Sequence, residues 1–485
     1  MEERTATYLQ IAAASVPELE SKTGGKGARE SYNAACAELT VLLRNGDGGR
    51  LWNRPITVTR GGISYQLRFQ PGTANGVWAP DYFTKFELAR RIDERLVKTP
   101  NRRAGLGGEL VGVRKIEPRE EFMPRVGLAG AVTATLDFRG RTATLTLQDP
   151  MKKETIRVDG RVRPLAADFS APLCYYPPID QFWTGLIEGL HPGAHGDTES
   201  IFLLQPYDPA RIPVFYIHGL ISTPYIWRDP INQIDQDPEL RARFQPIVFD
   251  YPTGDPVAYS ALRFRERMAE FERRYPMPNG YVIVSHSMGG LVAQMLTQTV
   301  TRENWHRVVG AKADELFASV PPESEISRAL IFDADPAARR VVFIATPHKG
   351  ANMATGSLAN FAQTLIRLPF SVVKMLGQMP AATLSFATGS SKRMPTSLTS
   401  LEPQNPTLHV LAAGKVAPPC HSIIGNRGLP GPLADSSDGI VPYWSSHLDY
   451  AKSEVIVPGP HSCYDYPQSI AEIKRILHLQ LKSIK

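Results

Sequence analysis

The sequence predicts an α/β protein, with a mostly parallel sheet covered on both faces. A helical hairpin and a small antiparallel β region precede it. Three observations carry this expectation. From about residue 200 onward, short continuous apolar runs alternate with amphipathic helical patterns, as strands buried on both faces require. Residues 281–296, YVIVSHSMGGLVAQML, read as strand, tight small-residue turn and helix in direct succession. Before residue 180, apolar and polar residues instead alternate around glycine turns, the pattern of antiparallel hairpins.

Composition sets the outer limits. A chain of 485 residues has room for about two or three domains. Hydrophobic residues make up 42% and charged residues 21%, an ordinary globular balance. The net charge of +6 comes without a dense Lys/Arg block, so no nucleic-acid partner is expected. Arg263, Arg265 and Arg267 fall in a helical pattern and read as a solvated face. The mild basicity is compatible with peripheral association at an anionic membrane surface. No run approaches the ~20 apolar residues of a membrane span. The start, Met1-Glu2-Glu3, is acidic and lacks an apolar core, so it does not read as a signal peptide. Cys36, Cys174, Cys420 and Cys463 show no CxxC spacing, which argues against a zinc site. Cys420 and Cys463 fall in expected loops, and both a bridge and two free thiols remain open.

Taken in order, residues 1–52 hold two helical patterns, one on Tyr8, Leu9, Ile11 and Ala12, the other on Tyr32, Ala35, Cys36, Leu39 and Leu42. A Gly/Lys break at 23–27 separates them. One such hairpin resembles a tetratricopeptide unit, but no repeat follows it. Residues 53–180 form the expected β-rich accessory domain. Its hairpin turns lie at Gly61-Gly62, at Arg139-Gly140 and at Asp159-Gly160. Alternation there implies a sheet with one buried and one wet face. Glu117, Glu120 and Glu121 read as surface charges. After a Pro- and Gly-rich linker, residues 181–485 carry strands at 201–204, 214–217, 247–249, 281–284, 341–344, 408–413 and 454–457. A long amphipathic helix spans about 259–275.

The chemistry gathers at the carboxyl ends of these strands, where open α/β sheets bind their ligands. The 285–290 turn fits a G-x-S-x-G nucleophile elbow, with Ser287 lifted out of the sheet and small neighbours letting strand and helix pass closely. Ser285 replaces the first glycine. The bland alternative is a Ser/Gly-rich helix start without chemistry. A serine hydroxyl needs a histidine base, and that base needs a carboxylate to orient it. Downstream come Asp438, in DGIVP, and His461, in GPHS directly after the last strand. Asp438 is preferred over Asp435 because its turn leads back into apolar packing. His461 is preferred over His348, His421 and His447, since His447 precedes the last strand and His348 reads as a loop or pocket-wall residue. Ser, then Asp, then His is the chain order of the α/β-hydrolase arrangement. The backbone N–H groups of Met288 and Leu220 are the expected oxyanion donors, with Ile221 next in line. His286 is expected to pack or hydrogen-bond behind the elbow. Ile221, Trp227 and His348 are the candidate pocket residues. Residues 351–400 form an apolar Leu-, Met- and Phe-rich insertion that reads as a lid, the alternative being two ordinary core helices.

With these residues assigned, the region from about 198 to 485 resembles the α/β-hydrolase superfamily of serine esterases and lipases. The likeness is nearest to bacterial hydrolases, many of them lipoproteins, that combine GHSMGGL, FIATPHxG and DGxVPYxSxH. Here the phrases are SHSMGGL, IATPHKG and DGIVPYWSSH. The resemblance implies an α/β-hydrolase fold with a lid insertion, the triad Ser287, Asp438 and His461, and no metal or organic cofactor. It implies a bacterial carboxylesterase or lipase acting on small-molecule or lipid-like esters, and an export or lipid-anchor signal in the full-length form. An acyltransferase or amidase with the same triad, and a binding protein on an idle hydrolase scaffold, are the rival expectations. Acyl preference, oligomeric state and the role of the N-terminal regions stay open.

Overall fold

The computed structural model describes residues 1–46, 54–71, 82–115, 120–124, 126–176, 199–351, 396–428 and 430–484. Most of the 351–400 insertion and the linker before residue 199 lie outside the described residues. The chain divides into two compact units. The first comprises Met1–Pro177, Leu203–Pro206 and Ile231–Ala242, and the second comprises the remainder.

In the first unit, helices α1 (Glu2–Glu18) and α2 (Gly25–Gly46) lie against a six-stranded sheet. Its strands are β1 (Ile56–Arg60), β2 (Ile63–Pro71), β3 (Lys85–Leu88), β4 (Gly108–Arg114), β5 (Leu128–Arg139) and β6 (Thr142–Gln148). Their order is β1-β2-β6-β5-β4-β3, and all neighbours are antiparallel except β2 and β6. Hairpin turns at Gly61-Gly62 and Gly140 use positive φ, which glycine adopts at no steric cost. One core joins hairpin and sheet: Leu9, Tyr32 and Leu39 share a cluster with Leu110, Leu136 and Leu145. The Tyr32 hydroxyl donates to the Leu136 carbonyl at 2.6 Å and accepts its N–H at 2.8 Å.

Two expectations fail in this unit. The sheet is not wet on one face throughout, because nine consecutive residues of β5 from Leu128 to Leu136 are buried, leaving no alternation. Glu120 is not a free surface charge, since it pairs with Arg114 at 2.6 Å.

The second unit is built on a seven-stranded sheet: β7 (Ser200–Leu203), β8 (Ile212–Ile217), β9 (Phe244–Asp250), β10 (Tyr281–His286), β11 (Ala338–Ile344), β12 (Cys420–Asn426) and β13 (Ser453–Pro458). The order is β7-β9-β8-β10-β11-β12-β13, and the pairs from β9 through to β13 are parallel. The chain order turns back at β8, which sits between β9 and β10, so a crevice opens at the carboxyl ends there. Strands β8 and β10 are buried along their whole length, as their unbroken apolar runs require. Helix α3 (Val257–Arg274) buries Leu262, Phe264, Met268 and Phe271, spaced at helical intervals. Burying each such side chain contributes about 1.5–3 kcal/mol. Helix α4 (Met288–Thr297) follows the elbow and is buried throughout.

The sequence misassigns one strand. Residues 408–412 belong to helix α5 (Pro406–Ala412) and Ala413 caps it, so the expected strand at 408–413 is not in the sheet. Asn405 Oδ1 accepts the Thr407 N–H at 2.9 Å and Pro406 sits at the first helical position, so start signals override the Leu408/Val410 alternation. The strand in that place is β12, masked in sequence by its polar start, Cys420-His421-Ser422. The arginines of α3 are not a solvated face either. Arg263 bonds Glu266 and Glu325 at 2.7 Å, and Arg265 donates to the carbonyls of Met295 and Arg328. All four cysteines are buried free thiols. Cys420 opens β12 at its amino end, so it cannot meet Cys463, which follows β13. No helix among the described residues is long and apolar enough to cross a membrane.

Candidate active site

The elbow begins with β10, whose last residue, His286, gives way to Ser287 at φ 55, ψ −127. A non-glycine residue in that region is strained by about 1–3 kcal/mol and is held there by its surroundings. Three close approaches supply the holding. A Cβ on Gly289 would lie 2.3 Å from the His218 carbonyl oxygen, and one on Gly290 would lie 2.0 Å from Thr346 Oγ1. A Cβ on Gly219 would lie 2.8 Å from Ser287 Cβ. Ser285, where the pattern allows glycine, is accommodated because its hydroxyl donates to the Val342 carbonyl at 3.0 Å.

Asp438 follows β12 in a tight turn. Its Oδ1 accepts the N–H groups of Ile440 at 2.8 Å and Val441 at 2.7 Å, which leaves Oδ2 aimed elsewhere. β12 can pass this turn only because of Gly425, whose missing Cβ would lie 2.8 Å from Asp438 Cβ. His461 follows β13. Its Nδ1 lies 2.7 Å from Asp438 Oδ2, and its Nε2 lies 2.8 Å from Ser287 Oγ. A carboxylate can only accept, so Nδ1–H donates to Asp438. That leaves the Nε2 lone pair to accept the serine hydroxyl. Asp438 is 2% exposed and Ser287 7% exposed, so carboxylate, imidazole and hydroxyl meet in a largely water-excluded line. Residues 151 and 23 positions apart thus converge at the carboxyl ends of β10, β12 and β13, and Asp435 stays exposed in a neighbouring turn.

The other histidines separate cleanly. His421 sits at the amino end of β12, with Arg340 donating to its Nε2 at 2.9 Å. His447 is held by Glu454 at 2.6 Å and Asp449 at 2.9 Å. His348 bonds Gln294 at 2.8 Å, and burial pushes it down to about 3, so it is a neutral loop-bonding residue. It has no exposed surface, and neither does Trp227, which packs on Tyr216 and Tyr464. Neither offers a wall to a ligand, and both are core residues. Ile221 is partly exposed, at φ 51, with its N–H donating to Thr253 Oγ1 at 3.2 Å. That N–H is therefore committed, which leaves Leu220 as the donor candidate on this loop. Met288 opens α4, so its N–H has no carbonyl one turn back to bond.

Sequence reasoning named His286 without finding its partner. Its Nε2–H donates to the carbonyl oxygen of His461 at 2.8 Å, tying the residue before Ser287 to the loop that carries the imidazole. Burial, reinforced by the nearby His461, pushes His286 down to about 3 and keeps it neutral. Thr253 and Ser445 were also missed. Ser445 accepts the Lys349 N–H at 3.1 Å and donates to the Gly350 carbonyl at 2.6 Å, pinning the loop after β11. The SHS tripeptide was the one available signal for His286. Thr253 and Ser445 are ordinary loop hydroxyls and carry none.

The family model for the alpha/beta hydrolase family matches residues 214–472, more than half of the chain. The chain belongs to the alpha/beta hydrolase family. No curated protein matches it by sequence. Among solved structures, this alpha/beta hydrolase is similar to the mature lipase BlEst2 of Bacillus licheniformis, at 16% identity, covering 56% of this chain and 93% of that one, with a TM-score of 0.29. It is similar to Staphylococcus hyicus lipase at 12% identity, covering 57% and 96%, with a TM-score of 0.33. A hydrolase from Pseudomonas aeruginosa gives 14% identity, 58% and 93% coverage, and a TM-score of 0.28. Likenesses at this level assign no residue a role.

Proposed function

We propose that the chain is a serine carboxylesterase or lipase that cleaves esters with hydrophobic groups through an acyl-enzyme. The observation that carries this reading is the continuous Asp438–His461–Ser287 line, with separations of 2.7 and 2.8 Å. Ser287 Oγ attacks the ester carbonyl carbon while His461 Nε2 takes its proton. Asp438 holds the imidazole in the productive tautomer and stabilises the imidazolium. The N–H groups of Leu220 and Met288 receive the oxyanion. Such donors are worth on the order of 10²–10³ in rate. The tetrahedral intermediate collapses, the ester C–O bond breaks, and His461 returns its proton to the leaving alcohol. Water, deprotonated by His461 in turn, releases the carboxylic acid from Ser287. The Leu-, Met- and Phe-rich composition of residues 351–400 supports hydrophobic acyl groups.

The test is hydrolysis of p-nitrophenyl esters graded by acyl length, with Ser287→Ala, His461→Ala and Asp438→Asn beside the wild type. Each substitution is expected to lower kcat by at least ~10³-fold, since triad members act as a unit. Wild-type rates in Ser287→Ala would overturn the reading. Product analysis with added alcohol or amine acceptors separates ester hydrolysis from acyl transfer, and an amide panel separates it from amidase activity.

A further inference from the structure

A buried histidine beside the nucleophile takes no part in the proposed steps. His218 ends the approach from β8 and is fully buried. Its Nδ1 lies 3.0 Å from the carbonyl oxygen of Gly219. A carbonyl oxygen can only accept, so Nδ1–H is the donor. Gly219 C=O and Leu220 N–H belong to the same peptide group. That peptide is trans, so the two bonds point in opposite directions from one plane. Fixing the carbonyl therefore fixes the direction of the N–H. Glycine at 219 leaves the preceding ψ with little steric preference of its own, so an unrestrained peptide could turn over. In that orientation a carbonyl dipole would face the developing negative charge and raise the barrier.

The ring is itself held. It stacks on Tyr251, with centroids 4.6 Å apart and planes 23° apart. The Tyr251 hydroxyl donates to the His218 carbonyl at 2.8 Å, and Phe249 stacks on the far side of Tyr251 at 5.1 Å. His218 Nε2 faces Asp250 Oδ1 at 3.5 Å, which is beyond good hydrogen-bond reach, and Nε2 has no other partner among the described residues. The flank after the peptide is pinned separately, by Thr253 on the Ile221 N–H at 3.2 Å. The peptide also abuts the nucleophile, as the Gly219–Ser287 approach shows.

We propose that His218 is a positioning residue for the oxyanion hole, its Nδ1–H holding the Gly219–Leu220 peptide so that Leu220 N–H faces the reacting carbonyl. The proposal rests on the serine-hydrolase reading and deepens it. It predicts a defect in transition-state stabilisation without a defect in substrate binding, which separates it from a merely structural role.

The test compares wild type, His218→Leu and His218→Asn. Asparagine can place an amide N–H where Nδ1–H stands, and leucine cannot. Melting temperature and circular dichroism report folding. For each variant, kcat and KM are measured on a short p-nitrophenyl ester, and the inhibition constant on an arylboronic acid, whose adduct with Ser287 is tetrahedral and anionic. His218→Leu is expected to lose about 30- to 100-fold in kcat, up to the lower limit of what removing an oxyanion donor outright costs. KM should stay within about threefold, and boronate affinity should fall in parallel with kcat. His218→Asn should recover kcat to within about fivefold of wild type. A folded His218→Leu with kcat and boronate affinity both near wild type would overturn the proposal. So would a kcat loss that leaves boronate affinity unchanged. If His218→Leu does not fold, Tyr251→Phe takes its place, removing only the hydroxyl that clamps the His218 backbone. A parallel loss of about five- to tenfold in kcat and boronate affinity supports the proposal, and no change in either overturns it. A fluorophosphonate probe on the wild type keeps the two levels apart. Labelling at Ser287 with unaltered His218 variants sinks only this inference, whereas an unlabelled wild type sinks the hydrolase reading beneath it.

Discussion

The two ends of the seven-stranded sheet are built on opposite principles. At the carboxyl ends, Ile221, Ser287 and Ala345 all take positive φ without being glycine. Buried polar atoms there lack partners among the described residues, including His218 Nε2, His286 Nδ1, His348 Nε2 and Thr346 Oγ1. At the amino ends, polar groups are bonded into one network. Arg340 donates to His421 Nε2 at 2.9 Å, and His421 Nδ1–H donates to Ser453 Oγ at 2.7 Å. The Ser453 hydroxyl donates to Glu472 at 2.6 Å, which Arg475 also holds at 2.6 Å. One end carries a bonded network and the other carries backbone strain. Strain persists only where the rest of the structure over-determines it, so the amino end and the shared core hold what the carboxyl end stores.

If this contrast is right, substitutions at the two ends fail differently. Gly290→Ala should have the largest effect, because its Cβ would lie 2.0 Å from Thr346 Oγ1 with both chains fixed in the elbow. A stability loss at or above about 3 kcal/mol is expected, read as a large fall in the urea midpoint together with loss of ester hydrolysis. A folded, active Gly290→Ala would show that the elbow is looser than described.

Acid should weaken both ends. His286 and His348 are pushed to about 3 and His421 to about 4, mainly by burial, against about 6.5 in an unfolded chain. The unfolded chain therefore binds more protons between these values. Stability is fully present above about pH 6.5 and falls as the pH drops toward 4. Urea midpoints at pH 7.5 and 4.5 check the sign. For Glu472, burial alone would raise the carboxyl, but the hydrogen bonds from Arg475 and Ser453 together hold it low, so it adds in the same direction.

Ser453→Ala should lower the melting temperature by the equivalent of about 1–3 kcal/mol, since it strips partners from His421, Glu472 and Arg475. Its kcat/KM should stay unchanged at a temperature where the protein remains folded. His286→Phe, at the other end, should do the reverse. It keeps a ring beside Tyr464 but loses the donor to the His461 carbonyl. A fall in kcat of roughly tenfold is expected, about 1.4 kcal/mol in the barrier, with a smaller change in melting temperature. His286→Gln, which can restore the N–H, should recover most of it. If the rate defect appeared in Ser453→Ala and not in His286→Phe, the division of labour would be wrong.

The carboxyl end was the more legible half. Ser287 and His461 stand in short turns directly after strands, and Asp438 stands later in the loop that follows β12, so strand order brings them to one edge. Gly289 likewise announces a close approach. What the sequence hid depends on tertiary neighbours. β12 escaped notice because Cys420, His421 and Ser422 break the apolar run, with His421 held by Arg340 and Ser453. Leu408 and Val410 mimicked strand alternation because the Asn405-Pro406 start outweighs a two-residue period. Trp227 and His348 looked like pocket walls because proximity in sequence to the loops says nothing of burial, and both are fully enclosed. The arginines of α3 looked solvated because their partners, Glu325, Met295 and Arg328, come from elements distant in the chain.

The central claim is that the hydroxyl of Ser287 is an activated nucleophile. Intact protein treated with a fluorophosphonate probe and digested for mass spectrometry tests it most directly. One adduct on the peptide containing Ser287, absent from Ser287→Ala and strongly slowed in His461→Ala, is the expected result. An unmodified Ser287 peptide, or an adduct formed at the same rate without His461, would contradict it.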